Sequence, residues 1–384
     1  MTRVSIIIPA FNHAHLVGDT IRSALAQTDA EPEVIVVDDG STDNTPEVVA
    51  SFAGRVVYIR QDNAGVCAAR NRGLACSQGD HVMFLDSDDL LAPQAIAIKS
   101  ALLDLDARAA LAYSAWRYMG EDGVQVLDEV HPKPQDNLLK RLLLRMLGFP
   151  PGNALIRRVM LEEVGGWDTD LAGAADTDLW VRLADAGHTF AYSDRVLFNY
   201  RILQGSMSRN YARQIKDEFK RLDKYFARPD LPVEIACLNQ RSHAIVHLEA
   251  ATRCYLTRDI EGGKAHLRDG FLLAPELARD REWLMSWLAG FALEPLVKEP
   301  VEVLLRILDN LPEEADVLRR MRREIIGSYH VAAAFAANDK GDYNAIVRHA
   351  GPAVSMHPAI LRNRGFLRLW LTALSRVGQQ RSTA

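Results

Sequence analysis

Three carboxylates, Asp86, Asp88 and Asp89, fall within four residues at the end of an apolar run that reads VMFLDSDDLLAP from Val82 to Pro93. A second acidic stretch, DDGSTDNT from Asp38 to Thr45, follows another apolar run, EVIVV. Carboxylates crowded at the ends of buried strands repel each other and lose hydration unless a cation or a hydrogen-bonding ligand compensates. A hard divalent ion resolves that conflict, because Mg²⁺ or Mn²⁺ is commonly held by one or two carboxylates plus substrate phosphate oxygens. Asp86 and Asp88 therefore read as a site for a metal–diphosphate pair. Taken singly, DDGSTD also fits a solvated turn, and DSDD also fits a helix N-cap cluster favoured by the helix dipole. The pair, each directly after a buried strand, favours the ligand site. Two glycine cradles for phosphate are excluded: the place for GxGxxG after the first strand reads PAFNHAH, and GxxxxGK[ST] is absent. A cation must then carry more of the phosphate charge.

Positioning these acids requires strands that end together. The first hundred residues alternate cleanly between strands and helices. Strands are expected over Val4–Ile8, Glu33–Val37, Val56–Ile59 and His81–Leu85, and helices over Leu16–Gln27, Thr42–Phe52, Ala64–Cys76 and Pro93–Leu105. This spacing predicts an α/β fold with a parallel sheet covered on both faces. In such sheets ligands sit outside the carboxyl ends of the strands. That rule places Pro9, Ala10, Phe11 and Asn12 beside both acidic groups. After Leu105 the order is mixed: strands over Ala110–Tyr118 and Val124–Val130 joined across MGEDG, a strand at Asn153–Ile156, helices near Val159–Val164 and over Asp178–Ala186, and an extended segment over Thr189–Tyr200. From Tyr211 onward the pattern is almost wholly helical. The expected division is residues 1–210 and residues 211–384.

Composition sets further bounds. The chain has 384 residues, 48% hydrophobic and 25% charged, with a net charge of -5. Residues 1–210 hold 19 Lys and Arg against 28 Asp and Glu, and the remainder holds 26 against 22. An acidic half beside a basic half suggests different partners, and neither has the dense basic patch of a nucleic-acid binder. Cys67, Cys76, Cys237 and Cys254 show no CxxC spacing, so reduced thiols in a cytoplasmic compartment are expected. The opening MTRVSIIIPAFN has too short an apolar run for a signal peptide. No stretch reaches the roughly 20 apolar residues of a spanning helix.

Two stretches of the tail look alike. Asp259 precedes Pro275, and Asp342 precedes Pro358, by 16 residues each, and the small residues Gly270 and Ala353 follow each Asp by eleven. This resembles the second half of a tetratricopeptide-type hairpin; an ordinary helical bundle is the other reading. Farther on, Arg362, Arg364, Arg368 and Arg376 lie among Phe366, Leu369 and Trp370. That composition reads first as a solvated helix face, and it also suits peripheral contact with an anionic membrane.

VSIIIPAFNHAHLVGDTIRSALAQT, EVIVVDDGSTDNT, NAGVCAARNRGLACSQGDHVMFLDSDDLLAP and AADTDLWVRLADAG resemble, in order, the motifs of family 2 glycosyltransferases of the GT-A fold. The resemblance covers roughly residues 3–210. It implies a Rossmann-like mixed sheet covered by helices, here followed by an all-α region. It implies an inverting, Mn²⁺- or Mg²⁺-dependent transfer from a nucleotide-sugar donor, usually a UDP-sugar, to a saccharide or lipid-linked acceptor in surface polysaccharide synthesis. Position by position, Pro9 to Asn12 would line the nucleotide, and Asp38 would hydrogen-bond the base. Asn63, Gly65 and Arg70 would sit near the nucleotide. Asp86-Ser87-Asp88 matches the DxD motif, with Asp86 reaching ribose or metal and Asp88 ligating the metal.

The family's catalytic base lies in an ED pair before a helix, and here that place reads AADTDLW. Asp176 is the expected base, with Asp178 second; either also suits an N-cap. Two departures stand out: Ala175 replaces the usual Glu, and Leu203 stands where the family often has a His after YR, with Arg201, Ser206 and Arg209 as nearby cations and donors that could compensate. They motivate an alternative function, a catalytically weakened nucleotide-sugar-binding scaffold or sensor acting through its helical tail. Lacking QxxRW and membrane spans, the chain does not resemble the family's processive synthases. With no span and no leader, the expected location is the cytoplasm or the inner face of the cell membrane.

Overall fold

β-Branched residues dominate the strand Val4–Ala10 (β1), and all seven of its residues are buried, as expected of a strand flanked on both edges and covered on both faces. The structure is a computed structural model that describes residues 2–132, 136–203 and 210–382. Ser206 and Arg209 lie outside them.

After β1 come α1 (Val17–Leu25), β2 (Glu33–Asp38), α2 (Thr45–Ala50), β3 (Val57–Arg60), α3 (Val66–Cys76), β4 (His81–Phe84), β5 (Leu90–Leu91) and α4 (Ala95–Leu105). The mixed part holds β6 (Ala109–Met119), β7 (Val126–Val130), α5 (Leu138–Leu143), β8 (Leu155–Arg157), α6 (Arg158–Glu163), α7 (Ala175–Asp185) and β9 (Thr189–Arg201). The strands form one nine-stranded sheet in the order β3-β2-β1-β4-β8-β6-β9-β5, with β7 on β6. The first four strands pair in parallel and β8 joins antiparallel, so the sheet is mixed. Helix α2 begins at Thr45 rather than Thr42, with Asn44 at its cap and Pro46 in its first turn. The third strand lies at the sheet edge and is largely exposed, so it lacks the two-sided cover expected of the sheet. The pairing of β5 with β9 was not foreseen; two residues are too few to show a period.

Close helix-to-strand approach fixes one glycine. A Cβ on Gly73 of α3 would lie 2.3 Å from Ile7 Cγ2 on β1, so no larger residue fits without displacing the helix.

The chain divides into two compact units, Met1–Asn239 and Gln240–Ala384. The sequence boundary near residue 210 marks where continuous helix begins. The first unit continues through α8 (Tyr211–Phe226) and α9 (Val233–Ala236), because α8 packs on the loop before α7: Gly173 N–H donates to Asp217 Oδ2 at 2.7 Å.

The second unit is helical: α10 (Asn239–Leu256), α11 (Ile260–Leu273), α12 (Arg281–Leu293), α13 (Pro300–Asp309), α14 (Asp316–Arg320), α15 (Arg322–Asp339), α16 (Tyr343–Met356) and α17 (Arg364–Ser382). Its first three helices recur in α15, α16 and α17 at a constant offset of 83 (259 to 342, 280 to 363). The capping chemistry recurs with them. Asp259 caps α11 by accepting from Gly262 N, and Asp342 caps α16 by accepting from Ala345 N. Asp280 accepts from Trp283 N, as Asn363 does from Phe366 N. A pair of imidazole Nδ1 atoms 2.9 Å apart joins His247 to His266 and, 83 residues on, His330 to His349. The repeat is thus longer than the hairpin half seen in the sequence. Pro352 lies inside α16 without ending it.

Candidate active site

The ends of β1, β2 and β4 meet at one edge. Ala10 pairs with Asp38 in register, Asp39 N–H donates to Ala10 O, and Leu85 N–H donates to Ile7 O. The loop after β1 spans the two acidic groups. Asn12, in the left-handed region at φ 54, donates its N–H to Ser41 Oγ at 3.0 Å, and its Oδ1 accepts from Thr42 N at 2.7 Å. Next to it, His13 Nδ1 lies 2.7 Å from Ser87 Oγ. The structure therefore brings Asn12, Asp38 and Asp86-Ser87-Asp88 to the same edge, while Pro9 and Ala10 are buried in β1 and the Phe11 ring is exposed.

The two acids of DDGS do different work. Asp38 is fully buried and accepts from Ser41 N at 2.8 Å and from the Tyr58 hydroxyl at 2.6 Å, with Arg60 3.5 Å away. Burial and this bond push the Tyr58 hydroxyl up to about 12, so it stays a donor at neutral pH. Asp39 fastens the next loop, accepting from Gln61 Nε2, Ala64 N and Gly65 N at 2.8, 2.9 and 2.8 Å. Gly40, at φ +81, lets the loops touch: a Cβ there would lie 2.9 Å from Asn63 N. Asn63 itself is exposed and Gly65 half-buried. The DDG turn thus builds the wall on which the expected nucleotide contacts stand.

In the DSDD turn, Arg70 donates to Asp86 Oδ1 at 2.7 Å, and its guanidinium lies 4.4 Å from the centre of the Trp167 ring. At 5% exposure, Arg70 is no helix-surface charge. Trp167 and Trp180 are buried and packed with Phe84 and Phe149. Arg201 braces the turn from behind: its N–H donates to Asp89 Oδ1, its Nε to Asp88 O and one terminal nitrogen to Glu121 O. Its second terminal nitrogen makes no hydrogen bond among the described residues and lies 3.6 Å from Asp19 Oδ2, and Leu203 is buried.

The donor set fits a divalent cation. Burial, with the Asp86 charge beside it, pushes the Asp88 carboxyl up to about 7, a cost that a bound cation would relieve. Among the described residues no three His, Cys, Asp or Glu side chains converge on one metal position. The protein would supply Asp88 and Asp86, leaving the rest to diphosphate and water, the usual arrangement for Mg²⁺.

Asp176 and Asp178 both lie in the first turn of α7, whose cap position is Ala174 rather than either acid. Asp178 accepts from Arg182 Nε at 2.7 Å, and Arg182 also donates to Val164 O and Gly166 O. It ties α7 to the loop ahead of Trp167. Asp176 is different. Burial pushes its carboxyl upward and Glu218 on α8 adds to this, while the Thr177 N–H, Arg70 and Arg145 pull the other way. Arg70 is ion-paired with Asp86 and acts on Asp176 only through its charge. Glu218 is held by Arg145 and Arg221 at 2.5 and 2.9 Å. Sequence reasoning missed His13, Asp39, Arg145 and Glu218 as parts of this region. Asp39 stands in the acidic stretch after the second strand without a role of its own, and His13 beside the first strand end; nothing in the spacing announces Arg145 or Glu218.

Residues 5–165 match glycosyl transferase family 2. An uncharacterized glycosyltransferase of Rickettsia conorii is 34% identical over 190 residues, 47% of this chain and 31% of that protein. A putative teichuronic acid biosynthesis glycosyltransferase of Bacillus subtilis is 29% identical over 216 residues, 54% of this chain and 82% of that protein. The chain thus spans about a third of one relative and most of the other. Among solved structures, the mannosyltransferase PcManGT from Pyrobaculum calidifontis in complex with GDP-Man and Mn2+ superposes with a TM-score of 0.52 at 20% identity, over 80% of this chain and 87% of that one. This likeness supports the GT-A fold.

Proposed function

We propose that this chain, whose residues 5–165 match glycosyl transferase family 2 and whose first unit has the GT-A fold, is an enzyme of inverting sugar transfer from a nucleotide-sugar donor to a saccharide or lipid-linked acceptor in surface polysaccharide synthesis. The observation that carries the reading is Arg70, ion-paired at 2.7 Å with Asp86 of the DSD turn, whose charge also acts on the half-buried Asp176 carboxyl. It relates a candidate base to a candidate diphosphate site.

Asp176 takes the proton of the acceptor hydroxyl as that oxygen attacks the anomeric carbon. A new C–O bond forms there, the bond to the diphosphate breaks on the opposite face, and the nucleoside diphosphate leaves with the electron pair. Asp178 holds α7 in place through Arg182. Asp38, its oxygens already bonded, positions the DDGS turn and meets the base from a fixed orientation. Asn63, Gly65 and the Phe11 segment flank the nucleotide. Asp86 and Asp88 would hold Mn²⁺ or Mg²⁺, which when bound neutralises charge on the leaving diphosphate. UDP is the favoured nucleotide on the family resemblance.

Titration with UDP, GDP and their sugars, with and without Mn²⁺, tests this. Metal-dependent binding of one nucleotide is expected, with Asp88→Asn weakening it at least about tenfold, or about 1.4 kcal/mol. Failure to bind any nucleotide under any condition overturns the proposal. Metal-dependent binding with neither transfer nor donor hydrolysis would instead favour the scaffold or sensor. A lipid-linked acceptor would bring the enzyme to a membrane surface.

A further inference from the structure

The internal duplication shows which face of α17 is built to be covered. In the first copy α12 packs against α13 and α15, and Leu284, Leu288, Phe291 and Ala292 are buried. Their counterparts 83 residues on (284 to 367, 291 to 374) are Leu367, Leu371, Leu374 and Ser375. Helix α17 packs on α15 and α16 through a different side, where Phe366, Leu369 and Ala373 are buried. Leu371 and Leu374 are left 64% and 45% exposed. At helical spacing Leu367, Leu371 and Leu374 form one stripe. Leu367 is half-buried, and among the described residues nothing buries Leu371 or Leu374.

The flank of the stripe differs between the copies in charge. Met285 of α12 corresponds to Arg368, while Arg281 is matched by Arg364. After Asp342 the chain holds six arginines, Arg381 the last, and no Asp or Glu. Arg362, Arg364, Arg368 and Arg376 are all exposed. A leucine stripe with arginine along one edge and no acid beside it disfavours pairing with a second copy of itself, since like charges would meet across the seam. It suits a surface that is apolar within and anionic outside.

We propose that the Leu367–Leu371–Leu374 stripe of α17 seats in the headgroup region of an anionic lipid bilayer, with Arg364 and Arg368 on the lipid phosphates. This deepens the lipid-linked-acceptor reading above, and its test is independent of sugar transfer. The full chain is sedimented with vesicles of phosphatidylglycerol and phosphatidylcholine, and with phosphatidylcholine alone, without nucleotide or acceptor. Pelleting is expected with the anionic vesicles only, and it should weaken as salt is raised. Leu371→Asp, at a position too exposed to threaten the fold, should cut binding at least tenfold. The double variant Arg364→Gln/Arg368→Gln should lower it by about ten- to thirtyfold. Absence of pelleting with anionic vesicles overturns the proposal. So does concentration-dependent self-association of the wild type, seen by analytical ultracentrifugation without vesicles and abolished by Leu371→Asp, because the stripe would then be covered by a second copy. Since the vesicles carry no acceptor, failure here leaves the transferase reading to its own nucleotide titration.

Discussion

Replacing Asp176 by Asn lowers kcat by about 10²- to 10⁴-fold, the usual contribution of a positioned general base, while donor affinity stays nearly unchanged. Asparagine keeps the shape and can still accept from the Thr177 N–H, which lies 2.8 Å from Asp176 Oδ1, but it cannot take a proton. The substitution removes a carboxylate that burial disfavours in its charged form, so the fold should tolerate the change. The pH dependence adds a second readout. Burial raises the Asp176 carboxyl above its usual range, and the base acts only when ionised. Activity should therefore rise with pH through a limb lying above the ordinary aspartate value of about 4, and the Asn variant should lose that limb. Initial rates with the donor identified by titration, taken across acid pH, decide the matter. Residual turnover within tenfold of wild type would shift the base to another group. Asp178→Asn makes the contrast: it loosens the Arg182 tie between α7 and the Val164–Gly166 loop, so its effect should show in thermal stability more than in the pH profile.

The edge that gathers these acids was legible because its causes are local. Apolar β-branched runs followed at once by Asp, Ser and Gly fix both where a strand stops and what its end presents, and the general rule for open α/β sheets does the rest. What each acid does was not legible. Asp38 and Asp39 are neighbours in sequence, yet one turns inward to Tyr58 and Ser41 while the other clasps the loop at Ala64 and Gly65. Only the path of that loop, some twenty-five residues on, separates their roles. Arg70 shows the same limit: its helix carries almost no amphipathic signal, and the burial that makes it part of the site comes from Trp167, nearly a hundred residues later. Contacts at such separation follow from topology, which local patterns do not encode. The tail errs in the other direction. Its duplication was partly visible in Asp and Pro spacing, because caps and breakers are sharp signals. The third helix of each copy escaped notice because an apolar face tolerates exchanges such as Trp283 for Phe366 that leave packing intact and identity low.

Lys99→Met should stabilise the first unit by about 1–4 kcal/mol near and below neutral pH, in line with replacement of other buried charges by apolar groups of similar size. Lys99 on α4 is fully buried, and its ammonium reaches Asn153 Oδ1 at 3.1 Å. Burial lowers its titration from 10.5 to about 7. The sign follows from proton counting. In the unfolded chain the lysine keeps its proton up to about 10.5, whereas the folded protein releases it near 7. Between those limits the unfolded state holds more protons, so wild-type stability rises with pH across the window. Methionine has no such slope. The advantage of the variant should therefore be largest just below neutrality, where the folded protein must bury a charge, and should shrink steadily in alkaline buffer. Asn153 is not orphaned by the change, since Ser114 Oγ still donates to its Oδ1 at 2.7 Å and its Nδ2 still donates to Ser114 O at 2.8 Å. Thermal midpoints of wild type and variant across this pH range test the claim. A variant that melts below wild type just under neutrality would mean that the Lys99–Asn153 bond outweighs the charge it buries.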